Sequence, residues 1–171
     1  MSPQRSNGSA AVVVRALEDD DLDAALALWA ATEQLGPIRR EELDQLRAHD
    51  PGLVLVAVEA ASGQLLGVVL GSFDGRRGWI SRLAVAQSAR RRGVGRQLVA
   101  EVEDRLATRG CRQVNLLTFA DNRAGRAMWE ALGYRGLDRV VLYSRALGDD
   151  DPSDDAARRT GSSGADAEPG C

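Results

Sequence analysis

The spacing of apolar residues along this chain switches repeatedly between the two-residue period of a strand and the three-to-four-residue period of a helix. Ala11–Leu17 carries a run of valines and reads as a strand. Asp19, Asp20 and Asp21 then supply cap and dipole-favoured acids for a helix with Leu22, Leu26 and Trp29 on one face. Gly36-Pro37 breaks it, and a second short helix spans about Arg40 to Ala48 before Asp50-Pro51-Gly52. Leu53–Glu59 and Leu65–Phe73 are β-rich runs joined by the hairpin signal Ala61-Ser62-Gly63-Gln64. Asp74-Gly75 turns the chain into a third strand, Gly78–Ala86.

From about Gly93 to Arg109, Val94, Leu98, Val102 and Leu106 repeat every four residues, with Val99 widening the stripe. Gly110 caps this helix, and Gln113–Phe119 follows as a buried-type strand. Asp121-Asn122 opens a last helix with Ala124, Met128, Ala131 and Leu132 facing inward and Gly133 at its end. Arg139–Leu147 is expected as the final strand, with room for a short one at Tyr134–Leu137. The order β-α-α-β-β-β-α-β-α-β predicts one α/β domain over residues 11–147. An antiparallel meander runs into a βαβ unit, so the sheet is mixed and flanked by helices. Residues 1–10 read as a flexible arm. Residues 148–171, acidic and poor in large apolar side chains, read as a disordered tail.

Composition narrows the function classes. The 44% apolar content over 171 residues suits one core. No run approaches the ~18 apolar residues of a membrane span, and the N-terminus lacks the pattern of a secretory signal. With Cys111 and Cys171 far apart and His49 the single histidine, neither a disulfide framework, a zinc site nor a histidine-based triad is expected. A cytoplasmic chain without metal is the expectation. The net charge of −3 lies in the tail, and outside it 20 arginines face 18 acids, so nucleic-acid binding is not expected. All 22 basic residues are arginine; there is no lysine.

The sharpest local signal is Arg90-Arg91-Arg92-Gly93-Val94-Gly95-Arg96, set between a strand and an amphipathic helix. The glycines let backbone approach a ligand, the first helical turn offers unpaired N–H groups, and arginines add charge-assisted donors. The same residues also suit a solvated basic turn. A Walker loop needs a lysine, and a dinucleotide fingerprint needs glycine where Leu98 stands, so both fail.

Leu83-Ala84-Val85, the Arg90-x-x-Gly93-x-Gly95 segment, Asn122, and Met128-Trp129-Glu130-Ala131-Leu132-Gly133-Tyr134 occur here in one order. That combination resembles the GNAT family of N-acetyltransferases, in particular small bacterial members near the ribosomal-protein-alanine acetyltransferases. The resemblance covers about Val12 to Leu147. It implies acetyl-CoA as cosubstrate, with Leu83, Ala84 and Val85 on a bulged strand pairing with pantetheine. Arg91, Arg92, Gly93, Val94, Gly95 and Arg96 would cradle the pyrophosphate, and Asn122 would contact the pantetheine arm or simply cap its helix. The implied reaction is direct attack by a primary amine of a small molecule, protein N-terminus or lysine, in a monomer or homodimer. The backbone N–H near Val85 would polarise the thioester.

Two positions depart from the family pattern. Trp129 stands where a phenol commonly protonates the thiolate, and Leu117 stands where a glutamate commonly acts as base. Replacement candidates are Asp74, otherwise a turn residue; Glu33, otherwise a solvated helix end; and Tyr143 as a proton donor, while Tyr134 suits a core aromatic. Positioning with a water chain is the alternative mechanism. An acetyl-CoA-sensing domain without turnover is the alternative function. His49 is expected to cap its helix, and Cys111 to be a small core residue.

Overall fold

The computed structural model describes residues 11–145. The strands are β1 (Val12–Ala16), β2 (Val54–Glu59), β3 (Leu65–Phe73), β4 (Gly78–Val85) and β5 (Val114–Leu116). The helices are α1 (Leu22–Ala30), entered through a 3-10 turn at Asp19–Asp21, α2 (Arg40–His49), α3 (Val94–Thr108) and α4 (Arg123–Ala131). The sheet runs β1-β2-β3-β4-β5, antiparallel except for the parallel β4–β5 pair. The expected meander and βαβ unit are both present. No described helix is long and apolar enough to cross a membrane.

β2 is buried on both faces, and its alternation sorts the core into two layers. Leu53, Leu55 and Ala57 face α3 with Leu66, Val69 and Ile80, against Val94, Leu98, Val99, Val102 and Leu106. Val54, Val56 and Val58 face α1 and α2 with Val68, Leu70 and Ala84, against Leu22, Ala25, Trp29 and Leu43.

Three glycines set how closely α3 lies on the sheet. A Cβ at Gly67 would stand 3.0 Å from Leu98 Cδ1, one at Gly71 2.9 Å from Val102 Cγ1, and one at Gly78 2.7 Å from Leu106 Cδ1. The helix therefore rests directly on strand backbone along most of its length, which fixes its N-terminus beyond the end of β4.

Charged ties hold the periphery. Arg15 donates to Asp21 through Nη1 at 2.5 Å and Nη2 at 3.0 Å. That hydrogen bonding, partly opposed by burial, holds the Asp21 carboxyl below the ordinary range. Buried Asp50 accepts from the Phe73 N–H at 3.1 Å and from Arg109 at 3.0 Å, joining the sheet to the end of α3. His49 sits in the last turn of α2 with Nε2 4.0 Å from Asp50.

The C-terminal third departs from expectation. The strand foreseen over Gln113–Phe119 shortens to Val114–Leu116, and no strand follows α4 among the described residues. The segment expected as Arg139–Leu147 instead exposes Val140, Val141, Leu142 and Tyr143, with residues 146–147 outside the described range. An apolar β-prone run becomes a strand only against a partner edge, and β5 offers three residues of it. On α4, Ala124 and Ala131 are exposed; the half-buried side is Met128, Trp129 and Leu132. Residues 1–10 and 148–171, expected as arm and tail, lie outside the described residues.

Candidate active site

The site grows from an irregularity in β4. Its pairing with β3 puts Ser81 opposite Leu70 and Ala84 opposite Val68, so Arg82 and Leu83 together face Val69. This is a β-bulge, with Arg82 in the left-handed region at φ 52°. The alternation of the strand explains it. Regular parity from Ile80, which lies in the α3 layer, would drive Arg82 into the same apolar layer. The extra residue resets the phase, so Leu83 and Val85 pack toward α3 and Ala84 toward α1.

The bulge is locked from the α1 side. The buried Trp29 indole donates to the Arg82 carbonyl at 2.6 Å. The Arg82 guanidinium lies over the Trp29 ring at 5.4 Å and donates through Nη2 to the Gly36 carbonyl at 2.7 Å. Sequence reading missed both Arg82 and Trp29 as site residues. The available signal was an arginine in phase with Ile80 on a strand otherwise apolar on that face.

Just ahead of the bulge, β4 leaves β5. Their parallel pairing ends at Ile80 opposite Leu116, and β4 continues five residues to Val85. That is about 16 Å of open strand edge at ~3.3 Å per residue. Which peptide groups face the opening follows from the ladder. Ala86 N–H donates to Leu66 at 2.9 Å, so the alternation makes Val68–Ala84 a bonded pair and Gly67–Val85 a non-bonded one. Val85 therefore turns its N–H and C=O away from β3, and Leu83, released by the bulge, is also outside that ladder. Ala84 is different: its peptide groups serve β3 and its side chain is buried. Of the three residues expected on the bulged strand, Leu83 and Val85 turn peptide groups away from β3 and Ala84 does not.

The open edge leads to a concave cluster of amides. Arg91 has φ 59° and Gly93 φ 79°, left-handed turns of the kind that make N–H groups converge on an anion. Gly93 is the N-cap of α3 and brings no capping side chain. The first intrahelical bond runs from Gln97 N–H to the Gly93 carbonyl at 3.1 Å, leaving the N–H groups of Val94, Gly95 and Arg96 without a partner among the described residues. Arg90, Arg91, Arg92 and Arg96 are exposed around them, with no ion pair to a described residue. A Cβ at Gly95 would meet Val85 Cγ2 at 3.6 Å, Met128 Sδ at 3.7 Å and Leu83 Cδ2 at 3.9 Å. Gly95 thus faces the gap between the open edge of β4 and α4.

With this geometry in place, comparison with known proteins decides the family. Residues 12–134 match the Acetyltransferase (GNAT) family. The chain is a GNAT-family acetyltransferase. It is 36% identical over 138 residues to an acetyltransferase of Pectobacterium atrosepticum, covering 80% of this chain and 96% of that one. It is likewise 36% identical over 139 residues to one of Sodalis glossinidius, with the same coverage. Among solved structures it resembles an aminoglycoside 6′-N-acetyltransferase of Acinetobacter baumannii, with TM-score 0.67, 22% identity, and coverage of 81% of this chain and 100% of the other. It also resembles Ard1 of Thermoplasma volcanium, with TM-score 0.66, 22% identity, and coverage of 72% and 82%. At those identities the structural likeness speaks for the fold.

The remaining side chains of the acetyltransferase fall into place around the opening. Asn122 caps α4, its Oδ1 accepting the Gly125 N–H at 2.8 Å, while Nδ2 lies 3.5 Å from Thr118 Oγ1. Trp129 packs edge-on against Tyr134 at 5.3 Å beside the α3 layer. Tyr134 donates its phenol hydrogen to Glu103 at 2.6 Å; burial, reinforced by that carboxylate, raises its pKa well above the ordinary phenol value and removes it as an acid. Cys111 is half-buried, its thiol donating to the Gln113 carbonyl at 3.2 Å.

The structure separates most candidate acid–base groups from the opening. Asp74 accepts the N–H groups of Arg76 at 2.8 Å and Arg77 at 2.6 Å in the exposed β3–β4 turn, and these bonds lower its pKa. This is a turn residue at the far end of β4 from the bulge. Tyr143 is 91% exposed, and Leu117 lies past the end of β5 at 64%. Glu33 is exposed in the α1–α2 connection that also holds Gly36. An open depression lined by Ala16, Leu17, Asp44, Arg47 and Val54 lies between β1 and α2, away from the opening.

Proposed function

We propose that this acetyltransferase binds acetyl-CoA along the open edge of β4 and transfers the acetyl group to a primary amine by direct attack. The observation that carries the reading is the continuity of that edge, at Leu83 and Val85, with the amide cluster at the start of α3. A pantetheine chain has amides of its own and suits a strand edge whose N–H and C=O groups point away from β3, where the Val85 carbonyl has only a long 3.4 Å bond from the exposed Arg90 Nε. A pyrophosphate suits converging N–H groups ringed by exposed arginines. Arg91, Arg92, Gly93, Val94, Gly95 and Arg96 form that cradle. Asn122, its oxygen committed to the helix cap and one Nδ2 hydrogen directed at Thr118, has its second Nδ2 hydrogen to offer the pantetheine arm.

The chemistry follows from what the chain supplies. The amine nitrogen attacks the thioester carbonyl, whose developing oxyanion is stabilised by a β4 peptide N–H freed by the bulge. The C–S bond breaks, the amine loses a proton through water, and CoA leaves as thiol. Among the described residues, the two side chains closest to the role of general acid are otherwise engaged: Trp129 packs, and Tyr134 is bonded to Glu103. Glu33 is the carboxylate candidate on the acceptor side. Catalysis rests on positioning and the peptide dipole. The reaction is assigned to the cytoplasm, where acetyl-CoA is available.

Calorimetry with CoA, together with thiol release from acetyl-CoA across a panel of primary amines, tests this. Stoichiometric CoA binding and amine-dependent thiol release are expected. Absence of CoA binding by the folded protein overturns the reading.

A further inference from the structure

The bulge needs a residue at position 82, but nothing in cofactor binding needs that residue to be arginine. Its carbonyl meets Trp29, and any side chain would allow that. What the guanidinium adds is a fixed cation between the bulge and the α1–α2 connection. Elsewhere in the described structure, five arginines that brace the fold meet carboxylates, Arg15 with Asp21, Arg40 with Asp23, Arg47 with Asp19, Arg105 with Glu101 and Arg109 with Asp50, while the more peripheral Arg77 and Arg126 donate to the neutral oxygens of Gln113 and Ala120. Arg82 has no carboxylate within ion-pair distance among the described residues. Glu42 on α2 acts on it only through its longer-range field.

The donors of Arg82 are also incompletely used. Nη2 donates to the Gly36 carbonyl. Nε is closed off from solvent and has no partner among the described residues. Nη1 has no hydrogen bond to a described residue and is not closed off. The ring of Trp29 and the Gly36 carbonyl hold the group in place, and its burial opposes the charge it carries. A held, half-buried guanidinium with a free donor and no counter-ion is a receptor for an anionic group.

We propose that Arg82 is a specificity residue that docks a carboxylate on the acceptor, so that this enzyme favours amines lying close to a carboxylate. The proposal rests on the acetyl-transfer reading above. A carboxylate held at Nη1 would place its own amine beside the bulge, where the thioester carbonyl meets the freed peptide N–H. Such an acceptor is either a free amino acid, through its α-carboxylate, or a chain beginning with an acidic residue, through its side chain.

The test uses the full chain, saturating acetyl-CoA and thiol release. One arm compares free amino acids with their carboxamides; the other compares short peptides beginning with Asp or Glu with those beginning with Asn or Gln. In at least one arm the carboxylate acceptor should exceed its amide by about tenfold or more in kcat/KM, the scale of a charge-assisted hydrogen bond. The arm that responds identifies the source of the carboxylate. Arg82→Gln should bring that ratio within about threefold, and Arg82→Lys should keep part of it. Equal turnover of acids and amides in the wild type, no turnover in either arm, or a ratio that survives Arg82→Gln overturns the proposal. If Arg82→Gln does not fold, the wild-type ratio and Arg82→Lys decide. CoA binding without a carboxylate preference defeats only this inference, whereas loss of CoA binding in the wild type defeats the acetyl-transfer reading itself.

Discussion

Replacing Gly95 with alanine should move stability and cofactor binding in opposite directions. Gly95 is the second residue of α3 and has no positive φ, so alanine fits its backbone. The added Cβ would meet Val85, Met128 and Leu83 at 3.6 to 3.9 Å, ordinary contact distances that require no rearrangement. Removing a glycine from a helix in a compatible conformation stabilises by about 0.4–1 kcal/mol. In a domain of this size that raises Tm by about 1–4 °C. The same methyl fills the gap between the open edge of β4 and α4, which is the route proposed for pantetheine. CoA affinity should therefore fall by about tenfold or more, equivalent to ~1.4 kcal/mol. Thermal unfolding and calorimetry against CoA read the two effects separately. Wild-type CoA affinity in a stabilised variant would refute the route, and a lowered Tm would refute the packing of α3 described above.

Three further outcomes follow. Gly71→Ala places a Cβ 2.9 Å from Val102 Cγ1 and 3.2 Å from the Leu53 carbonyl, so it should destabilise by about 1–3 kcal/mol in denaturant titration, as overpacked cores do. Trp129→Phe should keep kcat within about threefold at saturating acetyl-CoA, because the indole packs rather than donates; a loss of tenfold or more, ~1.4 kcal/mol in the barrier, would contradict this. The depressed pKa of Asp21 means that its contribution to stability is present above the unfolded value, roughly 3.9, and disappears as pH falls through the lower folded value. Asp21→Asn should thus be less stable than wild type at pH 7, with the gap closing under acid below about pH 4; a gap constant from pH 7 to pH 2 would show that the ion pair with Arg15 contributes nothing.

Local patterns carried much of this fold. The stripe Val94, Leu98, Val102, Leu106 gave α3, and Gly93 with the surrounding arginines marked its start. Turn residues bounded the meander correctly because their chemistry is set within a few residues. Strand pairing is decided at long range, so sequence reading overran β5 and placed a last strand at Arg139–Leu147 where the structure exposes Val140 to Tyr143. The same limit applied at the site. Leu83 and Val85 could be named, but that Ala84 spends its peptide groups on β3 depends on register. Asp74 looked usable until its carboxylate proved to be bonded within its own turn. The partnership of Trp29 with Arg82 spans 53 positions and leaves only a faint trace, one arginine in phase with Ile80 on an apolar face.

That extra residue gives β4 an unusual property. Removing Arg82 alone would leave Ile80, Leu83 and Val85 on one face and Ser81 and Ala84 on the other, an unbroken alternation with each apolar side chain still directed at its present neighbours. The resulting strand would have no interruption in its ladder with β3 and no left-handed residue. The most regular version of this strand is one residue shorter, and the extra residue falls in the stretch of β4 that has already parted from β5.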